Sequence, residues 1–240
     1  MDPTEFRTGV IKPIDCAKEA WAFVRPQYWL LFAMCLIGVW VGELTLTILL
    51  GAMMCGIFYT MIGLLDGRPL VFADLWKGIR LTIPAAVVML FFLIPILIVY
   101  GVIYGPLFYA VMTDPGMSQE KFMTLLTGSL LVDTVLIIAM VCFHTLLIFS
   151  FPLLIDRGLS PLRAVTTSAK AVWANLSGVT GLIAVQMVVT LIGLLLLCFG
   201  IYLVIPFVFA TYAVAYGKVF PPIASSDLNL PLPYLYPKLQ

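Results

Sequence analysis

Three ionisable side chains stand inside otherwise apolar sequence: Glu43, Asp133 and His144. Such groups are costly in lipid and mark ion paths, ligand contacts or helix–helix bonds. Asp133 and His144 lie eleven residues apart, about three helical turns, so one helix carries both on one face. Two readings of that face stand side by side. In one, a proton or ligand path runs down it. In the other, Asp133 sits at the membrane boundary and His144 bonds a neighbouring helix, through Gln186 or a threonine. Glu43 falls at an expected turn, where water or headgroups solvate it.

Enzyme chemistry finds little to use. A single histidine excludes the zinc motif H-E-x-x-H, and neither a G-x-S-x-G elbow nor a G-x-x-x-x-G-K phosphate loop occurs. The cysteines Cys16, Cys35, Cys55, Cys142 and Cys198 are isolated from one another and read as small buried hydrophobes, with no disulfide or metal site. The expectation is a protein that is not an enzyme, with no catalytic residues, no cofactor and no metal.

The elements that position these residues follow from composition. Of 240 residues, 62% are hydrophobic and 10% charged, and mean hydropathy is +1.11. Soluble domains carry roughly 45–50% apolar and about 25% charged residues. A soluble enzyme and a nucleic-acid module are excluded, and membrane lipids become the first partner. Apolar runs predict an all-α membrane protein with six transmembrane helices in three hairpins, about 28–65, 79–155 and 176–217. The first hairpin turns at Gly42-Glu43-Leu44, the second at Asp114-Pro115-Gly116 and the third near Cys198-Phe199-Gly200. With both termini inside, Arg7, Lys12, Lys18, Arg25, Arg68, Lys77, Arg80, Arg157, Arg163, Lys170, Lys218 and Lys238 are cytoplasmic and only Lys121 lies outside. That asymmetry is the positive-inside rule. Asp2 and Glu5 stand where a signal peptide would be basic, so no cleavable leader is expected.

Each hairpin is preceded by a short amphipathic segment, about 14–25, 71–80 and 160–175, expected to lie in the cytoplasmic interface. Trp21, Trp76 and Trp173 anchor these segments at headgroup level. The first and third match in letters: Ala17-Lys18-Glu19-Ala20-Trp21-Ala22 against Ala169-Lys170-Ala171-Val172-Trp173-Ala174. This pseudo-repeat fits either a symmetric bundle with a central axis or the duplication of a stable lipid-anchored hairpin.

Gly38-x-x-x-Gly42 and Gly101-x-x-x-Gly105 allow close helix approach, expected within the protomer. Pro84, Pro95 and Pro106, at eleven-residue spacing, predict a kinked third span. That kink serves either as a hinge or as a fit around neighbouring helices. The middle runs, Ile79–Thr113 and Phe122–Ile155, exceed the bilayer core if continuous, so this hairpin is expected to project past the outer surface or fold back along it. Residues 1–220 form one six-helix domain in this reading. Residues 221–240, rich in proline with Tyr234 and Tyr236, form a cytoplasmic tail that is extended and either docks on a partner or hangs free.

Two stretches also resemble a known group. One runs Leu50-Gly51-Ala52-Met53-Met54-Cys55-Gly56 and on through Gly67-Arg68-Pro69-Leu70 to Trp76-Lys77-Gly78. The other joins Phe151-Pro152-Leu153-Leu154-Ile155-Asp156-Arg157-Gly158 to Ser168-Ala169-Lys170-Ala171-Val172-Trp173-Ala174-Asn175. Both look like a group of uncharacterised bacterial multi-span inner-membrane proteins, similar to the membrane domain of some glycerophosphodiester phosphodiesterases. The resemblance implies a fold and supplies no catalytic residues. The expected function is an accessory or scaffold subunit of the bacterial inner membrane acting through other membrane proteins. The alternative is a carrier or channel for a small or amphipathic solute.

Overall fold

The computed structural model describes residues 2–114, 116–195 and 199–221, and every regular element among them is a helix. Five helical stretches are long and apolar enough to cross a bilayer: Pro13–Leu44, Phe72–Thr113, Gln119–Arg157, Leu176–Leu195 and Gly200–Val219. The chain divides into two compact units, one of residues 89–145 and one of the residues on either side of them.

In the flanking unit, α1 (Pro13–Val24) opens on a proline whose fixed φ suits a first helical position. Pro26 then interrupts the ladder with a 3₁₀ turn over Arg25–Gln27 before α2 (Tyr28–Leu44). The expected turn at Gly42-Glu43-Leu44 is corrected: the helix persists through Leu44, and the chain reverses between it and α3 (Leu50–Leu65). Gly42 is a contact and not the bend, because a Cβ there would lie 2.7 Å from Leu50 Cα. Leu46 and Thr47 take left-handed backbone, φ 51 and 65. Thr45 holds the turn, its hydroxyl donating at 2.9 Å to the Val41 and Gly42 carbonyls and accepting the Leu49 amide.

Helix α3 sits at the centre of this unit, packed by α2, by residues 72–81, and by α6 (Ser150–Arg157) and α9 (Phe199–Val219). It has 16 residues, about 24 Å of helix against a core of about 30 Å. Ten of them are buried, from Gly51 to Gly63, so protein rather than lipid surrounds it. The segment Phe72–Leu81 is wound as a 3₁₀ helix, and its backbone lies directly on that of α3. A Cβ at Gly56 would overlap the Leu75 carbonyl, and one at Gly78 would overlap that of Ala52.

The expected fourth run, Phe122–Ile155, is broken. Helix α5 (Gln119–Thr145) stops four residues before α6. Pro152 cannot donate to the Ile148 carbonyl, which favours a stop here. Ser168 seals the gap from α7 (Pro161–Ala174), donating to the Leu146 carbonyl at 2.7 Å and accepting the Phe149 amide at 3.1 Å. Gly158, at φ 61, then ends α6 in a left-handed cap. On α7, Ala164, Val165, Ser168, Ala171 and Val172 are buried, while Leu162 and Trp173 face outward. Helix α8 (Leu176–Leu195) precedes α9; the expected turn residue Cys198 and the tail beyond Pro221 lie outside the described residues.

The unit of residues 89–145 holds most of α4 (Thr82–Thr113) and all of α5 up to its end at Thr145. These helices have 32 and 27 residues, about 48 and 40 Å in length. Across the connection, Lys121 Nζ pairs with Asp114 Oδ2 at 3.0 Å. None of the residues of α5 is buried.

Candidate functional site

Three polar residues of α5, Ser129, Asp133 and His144, bond to α4. Tyr104 donates to Asp133 Oδ2 at 3.1 Å, and the Ser129 hydroxyl donates to the Ile103 carbonyl at 3.4 Å. His144 Nε2 lies 3.1 Å from the Phe92 carbonyl, and its ring stacks on that of Phe92 at 5.2 Å. A carbonyl only accepts, so Nε2 carries the proton in this contact. The expected partner of His144, Gln186 or a threonine, is replaced by this carbonyl. Gln186 itself donates to the Val208 carbonyl at 3.4 Å.

The two carbonyls have something in common. Phe92 stands three residues before Pro95, and Ile103 stands three residues before Pro106. A proline removes one amide from the ladder and its ring pushes the preceding turn open. The amides missing at Pro95 and Pro106 are the ladder donors to the carbonyls of Phe91 and Val102, and the α5 side chains bond the carbonyls next to these, Phe92 and Ile103. Asp133 and His144 therefore share the face turned to α4. They remain about 16 Å apart along the helix, too far for direct proton exchange. The Oδ1 atom of Asp133 is shielded and has no hydrogen-bond partner.

Glu43 is not part of this cluster. It lies in the flanking unit, exposed on the last turn of α2. Trp21, Trp76 and Trp173 are each substantially exposed, Trp173 at 71%. Gly38 packs against Ile57 and Leu75 within the protomer, as its motif suggests. Gly101 and Gly105 do not: a Cβ on either would meet nothing within 4 Å. Cys16, Cys35 and Cys55 are buried, but Cys142 is exposed, contrary to its reading as a core residue. Among the described residues no three His, Cys, Asp or Glu side chains gather as a metal site would require.

The flanking unit contains two clusters that the sequence reading did not assemble. In one, Arg157, only 2% exposed, donates to the carbonyls of Pro3 at 3.0 Å and Pro221 at 2.7 Å. Its guanidinium lies over the Phe220 ring, and the neighbouring Asp156 accepts from Tyr216 at 2.6 Å. Asn175, buried after α7, accepts the Gly9 amide at 2.7 Å and donates to the Arg7 carbonyl at 3.0 Å. Arg157 and Asn175 together bind the N-terminal arm. In the other cluster, Arg68 and Lys77 both donate to Tyr59 Oη, at 2.9 and 3.3 Å. The only advance signal was that Arg68, Lys77, Arg157 and Asn175 lie in the stretches that resemble the membrane group.

No protein-family model, curated protein or solved structure compared with the chain matches it.

Proposed function

We propose that the chain is a non-catalytic polytopic protein of the bacterial inner membrane, an accessory or scaffold subunit working through partner membrane proteins. In this reading it belongs to the uncharacterised inner-membrane group it resembles. It crosses six times as three repeated hairpins, with both termini cytoplasmic and an interfacial segment before each hairpin. The five long apolar stretches support the membrane class, and α3 counts as the sixth span because protein surrounds it. The outward-facing Trp21, Trp76 and Trp173 support interfacial placement of the three segments.

The observation that carries the partner reading is the open surface of α4 and α5. Ile103 is the one buried hydrophobic side chain described between residues 89 and 145, and Gly101, Gly105 and Gly128 face open space. Glu120, Thr124, Thr127 and Gly128 lie exposed along one side of α5. Small and polar residues of this kind favour helix contacts over lipid. The carrier alternative draws on the prolines within α4, but the helix runs unbroken through them and the Phe92 ring stacks on His144.

Purification in mild detergent, with proteins quantified by mass spectrometry, tests this. A stoichiometric membrane partner is expected with the native chain, and it should be lost from a Gly101→Leu, Gly128→Leu double variant. A lone monomer, or a partner retained equally by that variant, refutes the reading.

A further inference from the structure

We propose that Tyr59, Arg68 and Lys77 form a binding site for the phosphodiester of an anionic phospholipid headgroup. This stands independently of the partner reading, since it concerns the later turns of α3 and the segment after them, and none of the exposed α4 or α5 surface. Tyr59 projects, partly exposed, from the later turns of α3. After α3, Gly67 turns at φ 77, and the Arg68 amide closes back on the Gly63 carbonyl at 2.8 Å. The guanidinium then lies against Gly63, where a Cβ would come within 3.0 Å of it. Gly63 thus makes the seat for Arg68.

Both cations converge on one ring. Arg68 lies 4.8 Å and Lys77 4.7 Å from the Tyr59 centroid, and both donate to its hydroxyl oxygen. Two positive groups held this close repel each other unless an anion shares them. Asp74 pairs with Lys77 at 2.8 Å, but Asp66 is 3.8 Å from Arg68, beyond hydrogen-bond length. Guanidinium N–H groups are therefore left to the exposed side. The Tyr59 oxygen already receives two donors, so its own hydrogen points away from them. A phosphodiester there would accept from the tyrosine hydroxyl through one non-bridging oxygen and from a free Arg68 N–H through the other.

The surroundings favour a lipid as the source of that phosphate. Leu65, Val71, Trp76 and Ile79 are exposed on the same stretch of chain. Apolar side chains beside cations at one level match the junction between acyl chains and headgroups.

The test uses the full-length protein in a phosphate-free nonionic detergent, titrated separately with phosphatidylglycerol, phosphatidylcholine and glycerol phosphate. Thermal unfolding and retained lipid in native mass spectrometry are the readouts. Phosphatidylglycerol should raise the melting temperature and remain bound. Its apparent affinity should fall about tenfold in Tyr59→Phe and in Arg68→Gln, each of which removes a donor to the phosphate. Tyr59→Phe keeps the ring under both cations, so it reads the hydroxyl even if Arg68→Gln folds poorly. Lys121→Gln should bind as the native chain does. Equal affinity in Tyr59→Phe and the native protein overturns the site. Stabilisation by glycerol phosphate as strong as by phosphatidylglycerol overturns the lipid as its occupant.

Discussion

Substituting Asn175 by alanine should free the N-terminal arm without unfolding the rest of the chain. Asn175 makes two of the arm's bonds, accepting the Gly9 amide at 2.7 Å and donating to the Arg7 carbonyl at 3.0 Å. Arg7 and Gly9 are themselves exposed, so water replaces the lost partner and no buried group is orphaned on the arm. Each neutral bond then contributes about 1 kcal/mol, and the pair about 2 kcal/mol. The Arg7 amide remains bonded to the Val219 carbonyl at 2.8 Å, and the Pro3 carbonyl remains with Arg157. The arm thus still docks in the variant, but opens about 30-fold more often. Trypsin reads this directly, because the bond after Arg7 is the one whose carbonyl Asn175 holds. When opening and closing are faster than cleavage, the rate follows the open population. Intact mass spectrometry of the detergent-solubilised protein should show loss of residues 1–7 accelerated by about that factor. Cleavage after the exposed Lys121 should keep its native rate, as an internal reference for the rest of the fold. An unchanged rate at Arg7 would refute the claim that Asn175 latches the arm. Equal acceleration at both sites would show general unfolding instead.

Glycine substitutions should divide by neighbourhood: Gly56→Ala and Gly78→Ala, which overlap carbonyls across the α3 contact, should each cost at least about 1–3 kcal/mol. Gly101→Ala, facing open space, should be neutral or gain up to about 1 kcal/mol of helix propensity; thermal unfolding in detergent compares them. His144→Ala should cost about 1 kcal/mol, the loss of its bond to the Phe92 carbonyl; an unchanged melting temperature would show that this bond adds nothing. Asp133→Asn keeps an acceptor for Tyr104 and removes a charge whose Oδ1 has no partner, so its melting temperature should equal or exceed the native value; a fall of several degrees would show that the charge is needed.

Much of the fold was open to periodicity, because long apolar runs need no tertiary information to be helical. The connection around Asp114 lies between α4, ending at Thr113, and α5, beginning at Gln119, where a proline–glycine pair signals it locally. What escaped was set by contacts distant in sequence. The 3₁₀ winding of Phe72–Leu81 goes with backbone approach to α3 at Gly56 and Gly78. The break between α5 and α6 is held by Ser168, far along the chain. The first turn moved to Thr45–Leu49 because Gly42 serves α3 as a contact, and a glycine reads the same in either role.

The candidate polar residues illustrate why a charge in an apolar run is a weak guide to activity. Asp133 and His144 do share a face, and that face does meet another helix. Yet the partner of His144 is a main-chain carbonyl, which no side-chain pattern can reveal. The helix that face meets carries Pro95 and Pro106, each of which removes one ladder donor from its preceding turn. Helix α5 supplies a polar group for a carbonyl at each turn, His144 for Phe92 and Ser129 for Ile103. A bond to a main-chain carbonyl thus accounts for the placement of His144 against α4. Arg157 and Asn175 were hidden for the opposite reason. In a loop beside a membrane they read as interfacial groups, and only the fold brings the arm's carbonyls to them.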